Sequence, residues 1–343
     1  MSVIDRAVFM SRALRARITG KRMPLVVVLN VTNRCNLKCI YCYGEYYSRN
    51  TKDFTKEQLL FLIDELAKMG TKSITIGGGE PLLRDDIGEI IEYIKSKKIE
   101  CGMNTNGVLI PKRIDAVKKM DSVCISFDGV EESNDLNRGK GSFRQIFEGI
   151  KVAKAHGLHV HTNTVMTKNN IRSIDHIMKL AKEIGFVTEF NLPFFLGERD
   201  GTNQELYPSD EECRQAWAKI IDYKEKGYPI LFSRKSHQYA LDWPNYSQRL
   251  IYDTIPDFKY IKCYAGQLMC FIDSDGMVYP CAQLIGTFKG LNFLEHGFEK
   301  AWDNLRTNPC KTCYFTCFNH FNLIFKPDMS TILETIRNSF KEM

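Results

Sequence analysis

The chain has 343 residues, 44% of them hydrophobic and 26% charged, with 47 basic against 41 acidic side chains for a net charge of +6. That excess is too slight to argue for a nucleic-acid partner, and no apolar run reaches the roughly 18 residues of a membrane-crossing helix. The twelve cysteines come without the apolar core of a signal peptide, so they point to metal in a reducing, low-oxygen cytoplasm and not to disulfides.

The basic segment 1–23 carries Arg6, Arg12, Arg15, Arg17, Lys21 and Arg22 against Asp5 alone. Ile4, Ala7, Val8, Leu14 and Ile18 share one helical face, with Phe9 and Met10 beside it. Two arrangements fit: a helix packed under the main domain with a solvated basic face, or one lying on an anionic membrane surface through residues 1–22. From Pro24 to Pro193 strand-like and helix-like stretches alternate. Strands are expected at 25–30, 73–76, 99–104, 122–127, 158–166 and 187–193, with helices at 55–69, 86–97, 112–120, 143–156 and 173–184. Thr55 with Gln58 makes a capping box, and Gly70, Gly157 and Gly185 are natural helix stops. Six strands with crossover helices require a parallel sheet, either doubly wound or curled into a barrel.

In such folds chemistry gathers at the C-terminal ends of the strands. The first strand leads into Cys35, Cys39 and Cys42, spaced CxxxCxxC. Three thiols suit an iron–sulfur cube with one open iron, or a zinc ion with a distant fourth ligand. After the second strand, Gly77-Gly78-Gly79-Glu80-Pro81 lets backbone approach a ligand closely. The later strand ends bring Asn104 to Gly107, Ser126 to Gly129, Asn163 to Val165 and Asn191 to Pro193, with Arg138 inside the segment Asp135 to Phe143.

Residues 196–262 read as a helical connector, with helices at 208–226 and about 234–243 around a short strand Tyr228 to Ser233. Ser209 and Glu212 give its first helix a second capping box. Cys263 then precedes a hairpin, Leu268 to Ile272 and Met277 to Cys281, turning on Asp273 to Gly276. Cys310, Cys313 and Cys317 follow, enough thiols for a zinc or iron–sulfur cage. Cys101, Cys124, Cys213 and Cys270 read as core thiols. The tail 321–343 is aromatic and then helical from Ser330.

The CxxxCxxC stretch with Tyr41 before its last cysteine, followed in order by the Gly-Gly-Gly-Glu-Pro turn, resembles the radical S-adenosylmethionine (radical SAM) superfamily. The resemblance implies an α/β fold, a partial (β/α)6 TIM-type barrel over 24–195. The CxAG, Asp-Gly and Val-Tyr-Pro-Cys pattern resembles the SPASM or twitch extension, a small cysteine-rich α+β domain placed here at 263–320. Cys35, Cys39 and Cys42 would hold a [4Fe–4S] cluster whose open iron binds SAM. Its reductive cleavage yields a 5′-deoxyadenosyl radical that abstracts hydrogen from a substrate. SAM would lie against Tyr41, Gly78, Gly79, Glu80, Asn106, Ser126, Asp128, Asn163 and Leu192, with Arg138 pairing its carboxylate. One auxiliary [4Fe–4S] cluster would sit on Cys263, Cys281, Cys310 and Cys313, with Cys317 able to replace either of the last two. The implied partners are an electron donor such as flavodoxin or ferredoxin and a substrate that is a membrane lipid, a small molecule or, alternatively, a peptide. Two readings of another class compete, an iron–sulfur electron carrier and a zinc-stabilised binding protein, and the glycine-rich turn argues against the carrier.

Overall fold

A computed structural model describes residues 3–194 and 204–341; the side chains of residues 3–8, among them Ile4, Ala7 and Val8, those of residues 338–341, and the first part of the connector lie outside what it describes. After helix α1 (Val3–Thr19), six strands alternate with helices: β1 (Val26–Asn30), β2 (Ser73–Gly77), β3 (Glu100–Thr105), β4 (Ser122–Ser126), β5 (Val160–Val165) and β6 (Val187–Asn191). The helices between them are α2 (Lys56–Met69), α3 (Ile87–Ser96), α4 (Ile110–Val117), α5 (Glu131–Arg138), α6 (Ser142–Ala155) and α7 (Ile174–Ile184). Neighbouring strands pair parallel in the order of the chain. This is the wall of a partial barrel.

The capping expected for α2 is present. The Thr55 hydroxyl accepts from the Gln58 backbone, the Gln58 side chain accepts from the Thr55 N–H, and Gly70 closes the helix in the left-handed region at φ 98°. The two faces of the sheet differ sharply. Val27, Leu29, Ile74, Ile76, Val123, Ile125, Thr162 and Thr188 are fully buried on the face that α3, α6 and α7 cover. Because side chains alternate along a strand, the opposite face carries Ser73, Thr75, Ser122, Ser126, His161 and Asn163, all partly exposed. That polar, incompletely filled face lines the lumen.

The connector supplies α8 (Asp210–Glu225) and α9 (Arg234–Leu241). Its expected strand reduces to one bridge, Ile230 beside Thr188, at the edge of β6. The rest of the chain, from residue 250 on, contributes β7 (Leu250–Ile251), β8 (Met269–Ile272), β9 (Met277–Tyr279), β10 (Leu291–Asn292) and β11 (Thr312–Cys313). It also holds α10 (Phe293–His296), α11 (Phe298–Asn304), α12 (Thr316–Phe325) and α13 (Met329–Lys341). The boundary expected at residue 263 is not a break in the sheet. β8 pairs parallel with β1, Val27 opposite Cys270, and β9 and β10 extend the same nine-stranded sheet antiparallel.

Helix α1 packs under the barrel. Phe9, Ala13 and Ala16 are buried, the Phe9 ring stacks on Phe325 of α12 at 6.1 Å, and Arg12 donates to the Gly70 carbonyl at 3.0 Å. Leu14 and Ile18 remain 45% and 76% exposed. Among the described residues, no helix is long and apolar enough to cross a membrane.

Candidate active site

The loop leaving β1 carries Cys35, Cys39 and Cys42 and is held from two sides. Asp53 accepts from Thr32 Oγ1 and the Asn33 N–H, each at 2.6 Å, and from Arg34 Nε at 3.1 Å. On the other side the glycine turn after β2 lies directly against the loop. The Gly79 and Glu80 N–H groups donate to the Thr32 and Arg34 carbonyls at 3.0 and 2.8 Å. A Cβ at Gly79 would stand 2.1 Å from the Arg34 carbonyl oxygen, and one at Gly78 2.6 Å from that of Thr32. These two positions require glycine because the cysteine loop occupies the space, a reason different from the ligand approach expected of them.

Glu80 is also bound to the turns around it. Its fully buried carboxylate accepts from the Leu82 N–H at 3.0 Å, Thr105 Oγ1 at 2.8 Å and the Asn106 N–H at 2.8 Å. Burial raises its pKa to about 7. The side chain staples the β2 turn to the β3 turn. Asn106 in turn donates to Asn36, next to Cys35, at 2.8 Å.

Arg138, expected to pair with a SAM carboxylate, sits between Asp128 and Cys39. Its Nη2 donates to Asp128 at 3.2 Å, its Nε stands 2.9 Å from the same carboxylate though off line for a hydrogen bond, and Nη1 reaches the Cys39 sulfur at 3.9 Å. The guanidinium also lies over the Tyr41 ring at 5.4 Å, and the Tyr41 hydroxyl donates to Asp128 at 2.5 Å. Asp128 therefore gathers Tyr41, Arg138 and the Val165 N–H into a buried network under the cysteine loop. Burial pushes the Cys35 thiol up to about 11 and that of Cys39 up to about 12, and each is raised further by Cys42. Three crowded thiols with one cation nearby fit a positively charged iron cluster, which holds them as thiolates.

Ser126 and Asn163 point into the lumen, Asn163 accepting from Asn191 at 3.1 Å, while Leu192 is buried. Sequence reasoning missed the layer below. Cys124, His161 and Glu189 lie two residues before Ser126, Asn163 and Asn191, hence on the same face. Their ligand atoms are all within 4.8 Å of one another. Cys124 was expected to be a core thiol; it stands instead 3.7 Å from Glu189 Oε1. Burial raises Glu189 to about 7 and lowers His161 to about 4.

The second cysteine group also assembles. Cys310 lies in the electrostatic field of Cys263, Cys281 and Cys313, and Cys313 in that of Cys263, Cys281 and Cys317. The β7–β11 ladder and the Cys263 N–H bond to the Lys311 carbonyl at 2.9 Å position them. All twelve cysteines are free thiols. The donor set fits a thiolate-ligated cluster. Cys317 acts electrostatically on Cys281 and Cys313 and also on Glu189 and Cys124, so the group adjoins the lumen. Cys101 and Cys270 belong to the helix-covered face, Cys101 beside Ile74 and Cys270 beside Val27.

The chain resembles known proteins over much of its length. A model described as "Radical SAM superfamily" matches residues 29–204, just over half of the chain. Fe-coproporphyrin III synthase of Methanosarcina barkeri is 34% identical over 243 residues, 64% of this chain, which spans only 60% of that relative's length. Mycofactocin maturase MftC of Mycolicibacterium smegmatis is 28% identical over 293 residues, 83% of this chain and 71% of the relative. Among solved structures, Streptococcus suis SuiB bound to precursor peptide SuiA superposes with a TM-score of 0.64 at 18% identity, covering 84% of this chain and 66% of that one. The chain thus belongs to the radical SAM superfamily, as an enzyme of S-adenosylmethionine and a [4Fe–4S] cluster.

Proposed function

We propose that this enzyme acts on a carboxylate-bearing small molecule of the tetrapyrrole class, held in the lumen between the two cysteine groups. One observation carries the reading. Arg249 lies 5.0 Å over the ring of Phe194, just past the end of β6, and its buried Nε has no hydrogen-bond partner among the described residues. The Phe194 ring is in turn 5.0 Å from that of Tyr43, which follows Cys42. Two aromatic rings tilted by 33° beside a cation whose Nε is unbonded suit a planar ring bearing acid side chains. The name of the Methanosarcina barkeri relative points the same way.

In this reading Cys35, Cys39 and Cys42 hold the SAM cluster, which with SAM supplies a 5′-deoxyadenosyl radical. Cys263, Cys281, Cys310 and Cys313 hold one auxiliary [4Fe–4S] cluster. Cys317 is the alternative to either of the last two. Tyr41, Asp128 and Arg138 fix the loop at Cys39, and Glu80 with Asn106 fixes it at Cys35. Gly78 and Gly79 shape the SAM floor, and Ser126, Asn163 and Leu192 border the lumen. The side chains' task is to position the substrate C–H and exclude water. We infer an electron donor of the flavodoxin or ferredoxin kind in a reducing cytoplasm. Exposed Leu14, Arg15, Arg17 and Ile18 on α1 support peripheral contact with an anionic membrane face.

The test is anaerobic incubation of reconstituted enzyme with SAM and reductant, adding an iron coproporphyrin or a cellular peptide fraction. Formation of 5′-deoxyadenosine should rise with the tetrapyrrole, and Arg249→Ala should raise its KM at least tenfold. Stimulation by the peptide fraction alone would replace this reading with peptide modification.

A further inference from the structure

We propose that Cys124, His161 and Glu189 form a mononuclear site for a zinc-type divalent ion inside the barrel, distinct from both cysteine groups. The three residues come from the adjacent strands β4, β5 and β6. Cys124 is the register partner of His161, and Glu189 is the partner of Asn163, two positions further along β5. All three therefore face the lumen. Their donor atoms lie within 4.8 Å of one another, with Cys124 Sγ 3.7 Å from Glu189 Oε1. Tetrahedral zinc with bonds of about 2.0–2.3 Å places its donors roughly 3.3–3.8 Å apart, so one side is already closed. The others need side-chain shifts of about 1 Å.

These groups lack other partners. Among the described residues, neither ring nitrogen of His161 has a hydrogen bond, and Glu189 has no cation, its side-chain partner being the Cys124 thiol. Cys124 and Glu189 are buried and His161 is half-buried, reachable from the lumen. A buried carboxylate and imidazole left so are costly. A divalent ion removes that cost, because thiolate, carboxylate and neutral imidazole sum with it to zero charge. One sulfur, one nitrogen and one oxygen form a borderline donor set that suits zinc.

Three protein ligands leave a fourth position, and the exposed side of His161 aims it at the lumen. That is the open coordination of a Lewis-acid site and not the closed set of a structural one. The iron of a tetrapyrrole cannot be the occupant, since three ligands converging from one side exceed the single axial position it offers there. The site holds a resident ion, and it stands whether or not the tetrapyrrole reading does. Cys317 lies within electrostatic reach but outside the set of three.

The test uses anaerobically isolated, cluster-loaded enzyme, dialysed against a mild chelator and then equilibrated with a zinc salt alone. Elemental analysis should find about one zinc per chain beside the cluster iron. X-ray absorption at the zinc edge should show one sulfur at about 2.3 Å and lighter donors at about 2.0 Å. His161→Gln and Glu189→Gln should each weaken zinc retention at least tenfold with iron content unchanged. No retained zinc in the wild type overturns the proposal, as do equal retention in both variants and a shell of four sulfurs, which would place zinc in the second cysteine group. If the variants lose iron together with zinc, the wild-type sulfur count alone decides.

Discussion

Arg49 and Asp273 form an ion pair of 2.8 Å that ties the loop after the first cysteine group to the turn between β8 and β9. Asp273 is buried, and its other oxygen accepts from Asn30 at the end of β1 and from Tyr46. The guanidinium stacks on the Tyr46 ring at 4.5 Å. Removing one partner leaves the other buried and uncompensated, at about 3 kcal/mol. Arg49→Ala and Asp273→Ala should each lower stability by about that amount, and the double variant by clearly less than the sum. Chemical denaturation of the four proteins measures this, and additive losses would show that the two side chains act independently.

Glu80→Ala should remove more than a SAM contact. It leaves two backbone N–H groups and the Thr105 hydroxyl without their acceptor, costing on the order of 2–4 kcal/mol. The turn it staples also supports the Cys35 loop. Iron at the first cluster and SAM affinity should therefore fall together, as measured by iron content and equilibrium dialysis. Unchanged iron with weakened SAM would instead make Glu80 a ligand contact.

The same carboxyl sets a pH dependence. Folding raises its pKa from 4.5 to about 7, so between those values the folded state holds a proton that the unfolded chain has released. Stability should fall as pH rises through that window. Urea midpoints from pH 4.5 to 7.5 should show the decline in the wild type and a flatter profile in Glu80→Gln.

The barrel was legible because its signals are local. Capping boxes at Thr55 and Ser209 and left-handed caps at Gly70 and Gly185 stand where the sequence puts them. Helix α5 was missed for a physical reason. Its sequence, EESNDLNR, has almost no apolar periodicity, and the face it buries is polar, with Ser133, Asn134, Asn137 and Arg138 inside. Helix α12 was hidden by composition: seven of its ten residues are buried, so no amphipathic stripe marks it. At the site, the cysteine spacings could be read directly. The partners of Arg138 and Glu80 could not, because they come from β4 and β3 turns joined only by folding. Cys124, His161 and Glu189 were within reach, since counting back two from each polar strand end finds them.

Independence of the two cysteine groups is directly testable. Replacing Cys35, Cys39 and Cys42 together by Ala should abolish SAM cleavage yet leave about four irons per chain. Iron quantitation with electron paramagnetic resonance of the reduced protein reads both. Complete loss of iron would mean that the C-terminal thiols hold no cluster of their own.

Helix α1 separates packing from surface contact. Phe9→Ala should cost about 3 kcal/mol, because its ring is enclosed against Phe325. Leu14→Ser with Ile18→Ser should change stability by less than about 0.5 kcal/mol and abolish co-sedimentation with anionic vesicles. Failure of the wild type to co-sediment would remove the membrane contact.

The pairing of β8 with β1 has a consequence for how the protein is made. β1 leaves the ribosome well before its second neighbour, which is encoded some 240 residues later, Val26 waiting for Met269. Until then one edge of the nascent sheet is bare and open to pairing with other chains, while the first three cysteines are already exposed. Cluster insertion into them before release would leave an oxygen-sensitive centre beside an unfinished wall. The topology favours loading after the last strands arrive, and truncated chains ending before residue 269 should aggregate where the full chain does not.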